Sequence, residues 1–361
     1  MNILVIAPFP NSTNEKDGFI QRIKKIDNLI NENKRVYVQI SLKYYIFPKK
    51  NKSNVDGTSV WNLNFFTGFF VLLYHVIKSD MIYAHTIYNL MWIIPFFSIN
   101  KSKIILDVHG AVPEEQEMYG KRFYSKILNF AEKICFNNID TAVFVTDSMK
   151  QHYIKKYHNV NYKSIIYGIW PDNVKENGGI NELILKKLRE KIGISKNDVV
   201  VIYSGGLHIW QNIDLMIKSI NDKKNDSNVV YILLVNDIVE MRIRLEKNNI
   251  NKRIYLDSVH PSELANFYAI SHYGFVLRED CVVNRVANPT KLIEYLFYGI
   301  TPIVKLEEIG DFKKFNYSYM PLKNYQDNIL NTFKSQSNEK VVANIFDSYN
   351  EEEFKKQIFV N

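Results

Sequence analysis

Cysteine is scarce in this sequence, and its scarcity limits the classes of protein to which the chain can belong. The 361 residues include only two cysteines, Cys135 and Cys281, which stand far apart. Disulfide-rich secreted domains and cysteine zinc sites need several cysteines at characteristic spacings, so both classes are excluded. We expect two buried free thiols in a reducing compartment, and therefore a cytoplasmic protein.

Long apolar runs are missing as well. No stretch reaches the ~18–20 apolar residues of a membrane-spanning helix. The nearest approach is residues 65–77, a 13-residue run that includes His75. This run predicts either a buried helix or a helix that lies in a membrane surface. The apolar run at residues 3–7 is too short for a signal peptide and predicts a first β-strand.

The motifs of several cofactor enzymes are absent. The first predicted strand is followed by neither Gly-x-Gly-x-x-Gly nor a Walker loop, which argues against NAD-dependent dehydrogenases and kinases. No Asp-x-Asp with supporting ligands stands where a metal would hold a diphosphate. His85, His152 and His158 have no convincing ligand partners. We therefore expect neither a metal nor another cofactor.

The first half of the chain is poor in negative charge. Residues 1–170 hold 21 lysines and arginines against 13 aspartates and glutamates, whereas residues 171–361 hold 25 of each. The net charge of +8 therefore lies entirely in the first half, and it favours anionic partners. Nucleic acid is disfavoured because its usual binding motifs are absent. An anionic membrane surface or a pyrophosphate-bearing lipid fits, and a solvated basic surface without a partner is the alternative.

What the sequence does contain is a regular alternation of strand and helix patterns. Short apolar runs predict strands at residues 3–7, 36–41, 81–84, 104–108, 142–146 and 164–167. The same pattern restarts in the second half, with strands predicted at residues 199–203, 229–235, 254–256, 274–277 and 301–304. Such alternation predicts parallel sheets covered by helices on both faces, which is the α/β class.

A stretch rich in Pro, Asn and Gly at residues 170–179 interrupts this alternation and predicts a linker. We therefore expect two Rossmann-like, doubly wound domains at residues 1–170 and 171–340. A C-terminal helix within residues 341–361 is expected to pack back toward the first domain. Ligands of such sheets bind at the carboxyl ends of the strands, so two facing domains would bind them in the cleft between the domains.

One segment of the second half has the features of an anion site. A predicted strand ends at Arg278, and a helix is predicted to open with Asn288 as N-cap and Pro289 as its first residue. The free N–H groups of the first turn favour an anion, and Lys291 adds a positive charge. Glu294 lies on the same face. The segment predicts either a diphosphate site with a carboxylate for ribose hydroxyls, or an ordinary surface ion pair.

The same segment resembles a known family of enzymes. The run Pro-Thr-Lys-Leu-Ile-Glu-Tyr at residues 289–295 is similar to the donor-binding segment of GT-B glycosyltransferases, particularly family 4 and its relatives. Residues 201–207 resemble the strand and Gly-rich turn that open the second domain of that family. Residues 260–264 with Tyr268 resemble the helix before its donor strand. In the first half, Asp17-Gly18 and the strand ending at His109 resemble two of its functional loops.

This resemblance implies a GT-B fold and the transfer of a sugar from a nucleotide diphosphate-sugar with retention of anomeric configuration. The expected catalytic residues are His109, Lys291 and Glu294, with His109 in contact with the transferred sugar. The alternative for His109 is a structural histidine at a strand end. The expected donor-binding residues are Gly18, Ser204, Gly205, Gly206, Arg278, Asn288, Pro289, Thr290, Lys291 and Glu294.

The acidic stretch after His109 has two interpretations. Glu114 and Glu115 are candidates for binding acceptor hydroxyls or for acid–base chemistry. Alternatively, Pro113 is the first residue of a helix, and the carboxylates that follow it are favoured by the helix dipole alone.

The sequence also departs from the pattern of the family. Of two glutamates eight positions apart, Glu294 matches the second, but the first falls on Val286. The places of an arginine and a lysine that contact the diphosphate hold Gly206 and Gln211. Arg278 and Lys291 are the obvious substitutes for those two positive charges.

The expected function is therefore that of a metal-independent, hexosyltransferase-like enzyme. Its acceptor would be a glycan or a lipid-linked oligosaccharide in bacterial surface polysaccharide assembly, such as capsule or O-antigen. The enzyme would be cytoplasmic or peripheral on the inner face of the cytoplasmic membrane. The alternatives are a non-catalytic GT-B subunit and a nucleotide-sugar epimerase.

Overall fold

The computed structural model describes residues 1–11, 18–44, 52–55, 57–168, 171, 174, 181–224, 227–347 and 350–359. The chain divides into two compact units. The first comprises Met1–Ile169 together with Tyr349–Asn361, and the second comprises Trp170–Ser348. The first crossing between the units lies beside the predicted boundary after residue 170. The return to the first unit comes near residue 349, whereas the sequence places the second boundary at residue 341.

The first unit is built on an eight-stranded sheet with the order β3-β4-β2-β1-β5-β6-β7-β8. All neighbouring strands pair in parallel except β3 and β4, which form an antiparallel edge. The sequence predicts six of these strands and misses β3 and β4. The strands are β1 (Asn2–Ile6), β2 (Lys34–Ser41), β3 (Lys52–Val55), β4 (Thr58–Asn64), β5 (Met81–His85), β6 (Lys103–Val108), β7 (Thr141–Phe144) and β8 (Lys163–Ile166).

Helices cover both faces of this sheet. The connection from β1 to β2 runs toward the β3 edge of the sheet. The connections that follow β4, β5, β6 and β7 run toward the β8 edge. Because parallel crossovers are right-handed, the two sets lie on opposite faces. The helices are α1 (Gly18–Ile30), α2 (Phe69–Lys78), α3 (Ile87–Leu90), a 3₁₀ helix (Met91–Phe96), α4 (Val112–Met118), α5 (Arg122–Phe136) and α6 (Asp147–Lys156).

The apolar segment at residues 65–77 forms a surface helix with one buried side. Leu72 and Val76 of α2 are buried, whereas Phe70 and Tyr74 are exposed. Two of the ten apolar side chains in this segment are buried and four are exposed, so the buried-helix alternative accounts for only part of them. Within the described part of the chain, no helix combines the length and the apolar character that crossing a bilayer requires.

The second unit contains a six-stranded, wholly parallel sheet with the order β11-β10-β9-β12-β13-β14. Strand β10 is buried along its entire length, as expected of a strand covered on both faces. The short edge strand β14 is absent from the sequence prediction. The strands are β9 (Val199–Gly205), β10 (Val229–Val235), β11 (Ile254–Asp257), β12 (Tyr273–Val276), β13 (Thr301–Val304) and β14 (Met320–Pro321).

The helices of this unit follow the strands in the alternation that the sequence predicts. They are α7 (Glu182–Ile192), α8 (Ile213–Asn221), α9 (Ile238–Lys247), α10 (Leu264–Ile270), α11 (Val282–Arg285), α12 (Thr290–Phe297), α13 (Leu322–Tyr325) and α14 (Gln336–Asp347), with 3₁₀ segments at Ile209–Gln211, Pro261–Glu263 and Phe312–Phe315.

The C-terminal region contains two helices rather than the single one expected from the sequence. Helix α14 belongs to the second unit, where it packs against α12. The last helix, α15 (Glu351–Phe359), belongs to the first unit. Its Phe354 stacks on Tyr167 at a centroid distance of 4.0 Å, and Ile358 is fully buried in the same core.

Close packing of β12 on α12 requires a glycine at position 274. A Cβ atom built on Gly274 would lie 2.6 Å from Cδ2 of the buried Tyr295 ring. We predict that Gly274→Ala lowers the free energy of unfolding by about 1–3 kcal/mol, because the ring cannot move without disturbing the core. The control is Gly18→Ala, since a Cβ atom on Gly18 would meet nothing within 4 Å. Equal urea-unfolding midpoints for the two variants would contradict the prediction.

Candidate functional site

The predicted site residues fall into two groups, one in each unit. Gly18, His109, Glu114 and Glu115 belong to the first unit, where Gly18 is the first residue of α1 and Asp17 lies outside the described residues. The second group lies where β9 and β12 end and α12 begins. Its members are Ser204, Gly205, Gly206, Arg278, Asn288, Pro289, Thr290, Lys291 and Glu294.

The donor-segment helix begins one residue later than predicted. Pro289 is the N-cap of α12, with φ −70° and ψ 115°, and Thr290 is its first residue. The prediction of Asn288 as the capping residue is therefore wrong. Proline suits this position because it needs an extended conformation and no N–H group. The backbone N–H groups of the first turn are those of Thr290, Lys291 and Leu292, and that of Leu292 already donates to the carbonyl of Pro289 at 3.0 Å.

Lys291 is enclosed by protein. Its side chain is more than nine-tenths buried, and its Nζ donates a hydrogen bond to Oε1 of Gln211 at 3.0 Å. The ammonium lies 4.0 Å from the ring centroid of Tyr203, and a Cβ atom on Gly205 would stand 3.0 Å from it. Glu294 is equally buried. The alternative interpretation of Lys291 and Glu294 as a surface ion pair is therefore wrong.

The surroundings of Lys291 destabilise its charged form. Burial lowers the pKa of its ammonium well below the ordinary value, and the nearby Arg278 lowers it further, while Glu294 acts in the opposite direction. Arg278 is itself buried and donates from Nη1 to Oδ1 of Asn284 at 3.1 Å. Two buried cationic groups that repel each other gain stability when an anion joins them.

Glu294 and Ser204 belong to one hydrogen-bond network. The hydroxyl of Tyr268 donates to Oε2 of Glu294 at 2.9 Å and lies 2.9 Å from Oγ of Ser204. The backbone N–H of Ser204 donates to the hydroxyl of Tyr295 at 3.1 Å. These tyrosines connect the end of β9 to the carboxylate of Glu294 on α12. No local pattern in the sequence indicates this role for either of them.

The space beside Gly206 is occupied by an aromatic pair. A Cβ atom on Gly206 would lie 3.0 Å from the His208 ring, which stacks on Trp210 with centroids 4.6 Å apart. An arginine at position 206 would therefore displace His208. Gln211, the other departure, receives the hydrogen bond of Lys291. The glycine at position 206 leaves space for the His208 ring, and Gln211 holds the ammonium of Lys291 in place.

In the first unit, His109 belongs to a buried network centred on Asp107. Arg22 of α1 donates to Oδ1 of Asp107 from Nη2 at 2.6 Å and from Nε at 2.9 Å, and from Nη1 to the carbonyl of Tyr167 at 2.8 Å. Nδ1 of His85 lies 3.0 Å from Nε2 of His109. His85 stands opposite Asp107 in the β5–β6 ladder, so the parallel register itself brings these groups together.

The network fixes the charges of its members. Burial opposes ionisation of Asp107, but Arg22 and the two histidines together hold the pKa of the carboxyl well below its usual range. Burial lowers the pKa of His109 to about 4 despite Asp107, and burial lowers the pKa of His85 as well. Both imidazoles are therefore neutral near pH 7, and Nε2 of His109 faces the network.

One atom from each of His85, Asp107 and His109 lies within 4.8 Å of the others, a spacing that can hold a metal ion. The sequence-based statement that His85 lacks a partner is therefore wrong. The same three side chains are joined to one another within the network centred on Asp107. The guanidinium of Arg22 contacts both oxygens of Asp107, at 2.9 and 3.1 Å from Nε, and would stand beside the bound cation.

Glu114 lies in a second charged cluster of the first unit, near the N-terminus of α4. Burial alone would raise its pKa, but hydrogen bonds to His152 and Lys156 outweigh burial and lower it to about 2. Nζ of Lys156 lies 2.9 Å from Oε1 of Glu114 and 2.6 Å from Oε2 of the buried Glu132. A carboxyl group with this pKa is ionised near pH 7, which does not suit a general acid. Nε2 of His152 lies 3.4 Å from Oε1 of Glu114, but His152 belongs to no group of the described residues that could hold a metal ion.

The comparisons with known proteins agree with this architecture. No family model matches the chain. An uncharacterised glycosyltransferase of Methanocaldococcus jannaschii is 26% identical over 228 residues, which cover 60% of this chain and 55% of that protein. The chain therefore spans about half the length of this curated relative.

Solved structures match over nearly the full length. Sucrose-phosphate synthase from Thermosynechococcus elongatus has a TM-score of 0.71 at 10% identity, covering 99% of this chain and 97% of that one. α,α-Trehalose 6-phosphate synthase from Burkholderia multivorans has a TM-score of 0.68 at 12% identity, with coverages of 99% and 97%. HepE of Anabaena in complex with UDP-glucose has a TM-score of 0.64 at 12% identity, with coverages of 99% and 95%. The chain has the GT-B fold.

Within this GT-B chain, the buried pair of Arg22 and Asp107 gives a direct test of the first-unit network. We predict that Arg22→Met lowers the free energy of unfolding of the first unit by about 3–5 kcal/mol, because it leaves the Asp107 charge buried without a partner. The matched control is Arg285→Met, which removes an exposed ion pair with Asp280 and should leave stability nearly unchanged. Equal losses in the two variants, measured by urea unfolding, would contradict this account.

The pKa of His109 provides a second test. We predict that its imidazole titrates near pH 4, since burial opposes its protonation. The unfolded chain takes up that proton near its ordinary pKa of 6.5, so the free energy of unfolding falls as the pH is lowered from 6.5 toward 4. An NMR titration of the ring nitrogens, assigned with His109→Gln, measures the value. Titration near 6.5 in the folded protein would refute the buried network.

Proposed function

We propose that this protein is a retaining glycosyltransferase that transfers a sugar from a nucleoside diphosphate-sugar to an acceptor hydroxyl. The observation that carries the proposal is the burial of two cationic side chains, Arg278 and Lys291, beside the Gly-rich end of β9 and the first turn of α12. The uncharacterised glycosyltransferase of Methanocaldococcus jannaschii and the sugar-phosphate synthases with the same fold support this class of reaction.

The second unit would bind the donor through its diphosphate. Lys291, Arg278 and the free N–H groups of the first turn of α12 supply positive charge from one side of the ligand. Binding of a diphosphate would remove the repulsion between the two cations and raise the lowered pKa of Lys291. The complex of Anabaena HepE with UDP-glucose supports a donor of this chemical class.

Glu294 would accept hydrogen bonds from the ribose hydroxyls of the donor. Its carboxylate is already oriented by the Tyr268 hydroxyl, which Ser204 holds from the other side. A preoriented carboxylate loses little conformational entropy on binding, so the nucleoside would be recognised by a site built in advance. Val286, in the place of the usual first glutamate, is buried and cannot contact a sugar hydroxyl by hydrogen bonding.

His109 would contact the transferred sugar. Because Nε2 faces His85 and the Asp107 carboxylate, the proposal assigns Nδ1 to the sugar hydroxyl. The low pKa keeps the ring neutral, so His109 would act as a positioning hydrogen-bond partner and not as an acid. Arg22 and Asp107 would hold the ring in one orientation.

The proposed transfer follows a front-face route with retained configuration. The bond between the anomeric carbon and the diphosphate oxygen breaks, and the acceptor oxygen forms a new bond to the same face of that carbon. The acceptor proton passes to the departing diphosphate, whose developing charge is stabilised by Lys291, Arg278 and the amides of α12. These groups need no metal for that step, and metal independence is part of the proposal.

The acceptor is the least constrained component of the proposal. A glycan or lipid-linked oligosaccharide of bacterial surface polysaccharide assembly fits the excess of 21 basic over 13 acidic residues in residues 1–170. The same charge supports a cytoplasmic enzyme that binds peripherally to an anionic membrane. Glu114 and Glu115 stay candidates for contacts with acceptor hydroxyls.

Lys291 is the residue whose replacement tests the donor site. We predict that Lys291→Ala lowers kcat/KM for sugar transfer or donor hydrolysis by roughly 10²–10³-fold, because charge stabilisation of the leaving group is lost. The matched control is Lys187→Ala, which removes an exposed lysine of α7 in the same unit and should retain full activity.

The assay uses a panel of nucleotide sugars and follows release of the nucleoside diphosphate. Thermal unfolding of both variants checks that neither has lost the fold. Full activity of Lys291→Ala would overturn the donor-site assignment. Nucleotide binding without turnover for every donor and acceptor offered would favour a non-catalytic subunit instead.

A further inference from the structure

Helix α2 carries an apolar stripe on the side that faces away from the sheet. Phe70, Tyr74 and Ile77 recur at the spacing of one helix face and are exposed, Phe70 by 79%. Phe66, just before the helix, is 74% exposed. The opposite side, with Leu72, is buried. Four large apolar side chains on α2 and the turn before it are therefore exposed to solvent.

Helix α5 repeats this arrangement. Phe123, Ile127 and Phe130 follow the same helical spacing and are exposed, Phe123 by 79%. Leu128 and Cys135 on the opposite side are buried. One apolar side of α5 packs into the core of the first unit. The second apolar side is exposed, and packing of the core does not explain it.

The two stripes lie on one face of the first unit. The right-handed crossovers place α2 and α5 on the same face of the sheet, with the 3₁₀ helix Met91–Phe96 between them. That 3₁₀ helix packs against α5, and its Phe96 lies 4.8 Å from Phe69 of α2 between ring centroids. We call this surface the aromatic face. It comprises Phe66, Phe70, Tyr74, Ile77, Phe123, Ile127 and Phe130.

Basic residues dominate the charges on the two helices of the aromatic face, although Glu117 of α4, which packs against α5, is exposed as well. The sequence from Phe69 to Lys78 contains no aspartate or glutamate, and in α5 the single one is Glu132. Glu132 is buried and paired with Lys156, so it contributes no exposed negative charge. The exposed charged side chains of the two helices and the residue before α5 are Lys78, Lys121, Arg122, Lys126 and Lys133.

We propose that the aromatic face docks on an anionic lipid bilayer. Exposed phenylalanines beside lysine and arginine are the composition of helices that lie in a bilayer interface. The phenylalanines would enter the boundary between headgroups and acyl chains, and the basic side chains would contact anionic headgroups. An exposed apolar patch of seven side chains marks an interaction site, and its rim of cations favours an anionic bilayer as the partner.

This inference rests on the proposed function in one respect, since a lipid-linked acceptor gives membrane docking its purpose. Its physical basis is separate, because the donor residues belong to the second unit. A second copy of the chain would bury the same apolar residues, but it would bring two basic rims together. Like charges therefore favour the bilayer over self-association.

The test is sedimentation of the full chain with vesicles of equal parts phosphatidylglycerol and phosphatidylcholine. We expect the wild-type protein to sediment with these vesicles at low ionic strength. The triple variant Phe70→Ser, Phe123→Ser, Phe130→Ser should bind at least about tenfold more weakly. The matched control is Ile329→Ser with Phe333→Ser, which removes two exposed apolar side chains of the second unit and should bind as the wild type does.

A charge variant separates the electrostatic part from the apolar part. Replacing Lys121, Lys126 and Lys133 by glutamine should weaken binding to the anionic vesicles and make the remaining binding less sensitive to salt. Vesicles of phosphatidylcholine alone should bind both this variant and the wild type weakly. Equal binding of the wild type and the charge variant to anionic vesicles would contradict the electrostatic contribution.

Three outcomes would overturn the inference. These are no binding of the wild type at low salt, unchanged binding of the triple variant, and a stable wild-type dimer that the triple variant abolishes. Nucleotide-sugar affinity and thermal unfolding are measured on the same preparations. Retained nucleotide affinity without vesicle binding refutes the aromatic face alone, whereas vesicle binding without nucleotide affinity refutes the proposed function alone.

Discussion

The second unit depends on one constraint, a lysine ammonium enclosed by protein at the end of a parallel strand. The ammonium of Lys291 makes its hydrogen bond to the neutral amide of Gln211 and lies over the ring of Tyr203. Gly205, at φ +138°, lets the strand end pass close to that ammonium without a side chain. Burial of an incompletely compensated cation costs free energy, which an anionic ligand would recover. Such an arrangement is typical of binding sites, in which stability is lost in the free protein and regained in the complex.

The first unit handles its buried charge in the opposite way. Arg22 and Asp107 neutralise each other through several hydrogen bonds, and Tyr83 adds a further one to the carboxylate at 3.2 Å. This pair is complete without a ligand, and in the proposed function it would orient the neutral histidines at the ends of β5 and β6. In the proposed function, the hydrogen-bonded network of the first unit would position the sugar. The buried cation of the second unit would stabilise the charge of the leaving group. The basic aromatic face of the first unit adds a third surface, whose partner would be a membrane and not a substrate.

Local patterns were enough to predict most of the fold, whereas contacts between distant residues were not predictable. Strands such as β10, with seven buried apolar residues, are legible because burial on both faces leaves no polar positions. The helix at residues 290–297 is legible from its apolar spacing, although its cap moved from Asn288 to Pro289. Gln211 and Lys291 are 80 residues apart, and no local signal joins them. His85 could have been found, because it follows the predicted strand at residues 81–84, and the next predicted strand along the chain contains Asp107. The sequence does not reveal that one apolar stripe of α5 is exposed, because apolar residues have the same spacing in a helix with two apolar sides as in a buried helix.

If Lys291 binds the diphosphate of the donor, as we propose, proton uptake on binding is the most direct sign of it. Isothermal titration calorimetry at a series of pH values below the ordinary lysine pKa, in two buffers with different ionisation enthalpies, measures the protons bound with the nucleotide sugar of highest affinity in the panel. We expect the wild type to take up protons within this series, because the ligand raises the lowered pKa of Lys291. We expect that uptake to disappear in Lys291→Met. Binding without proton uptake, or an uptake that Lys291→Met leaves unchanged, would contradict this role of Lys291.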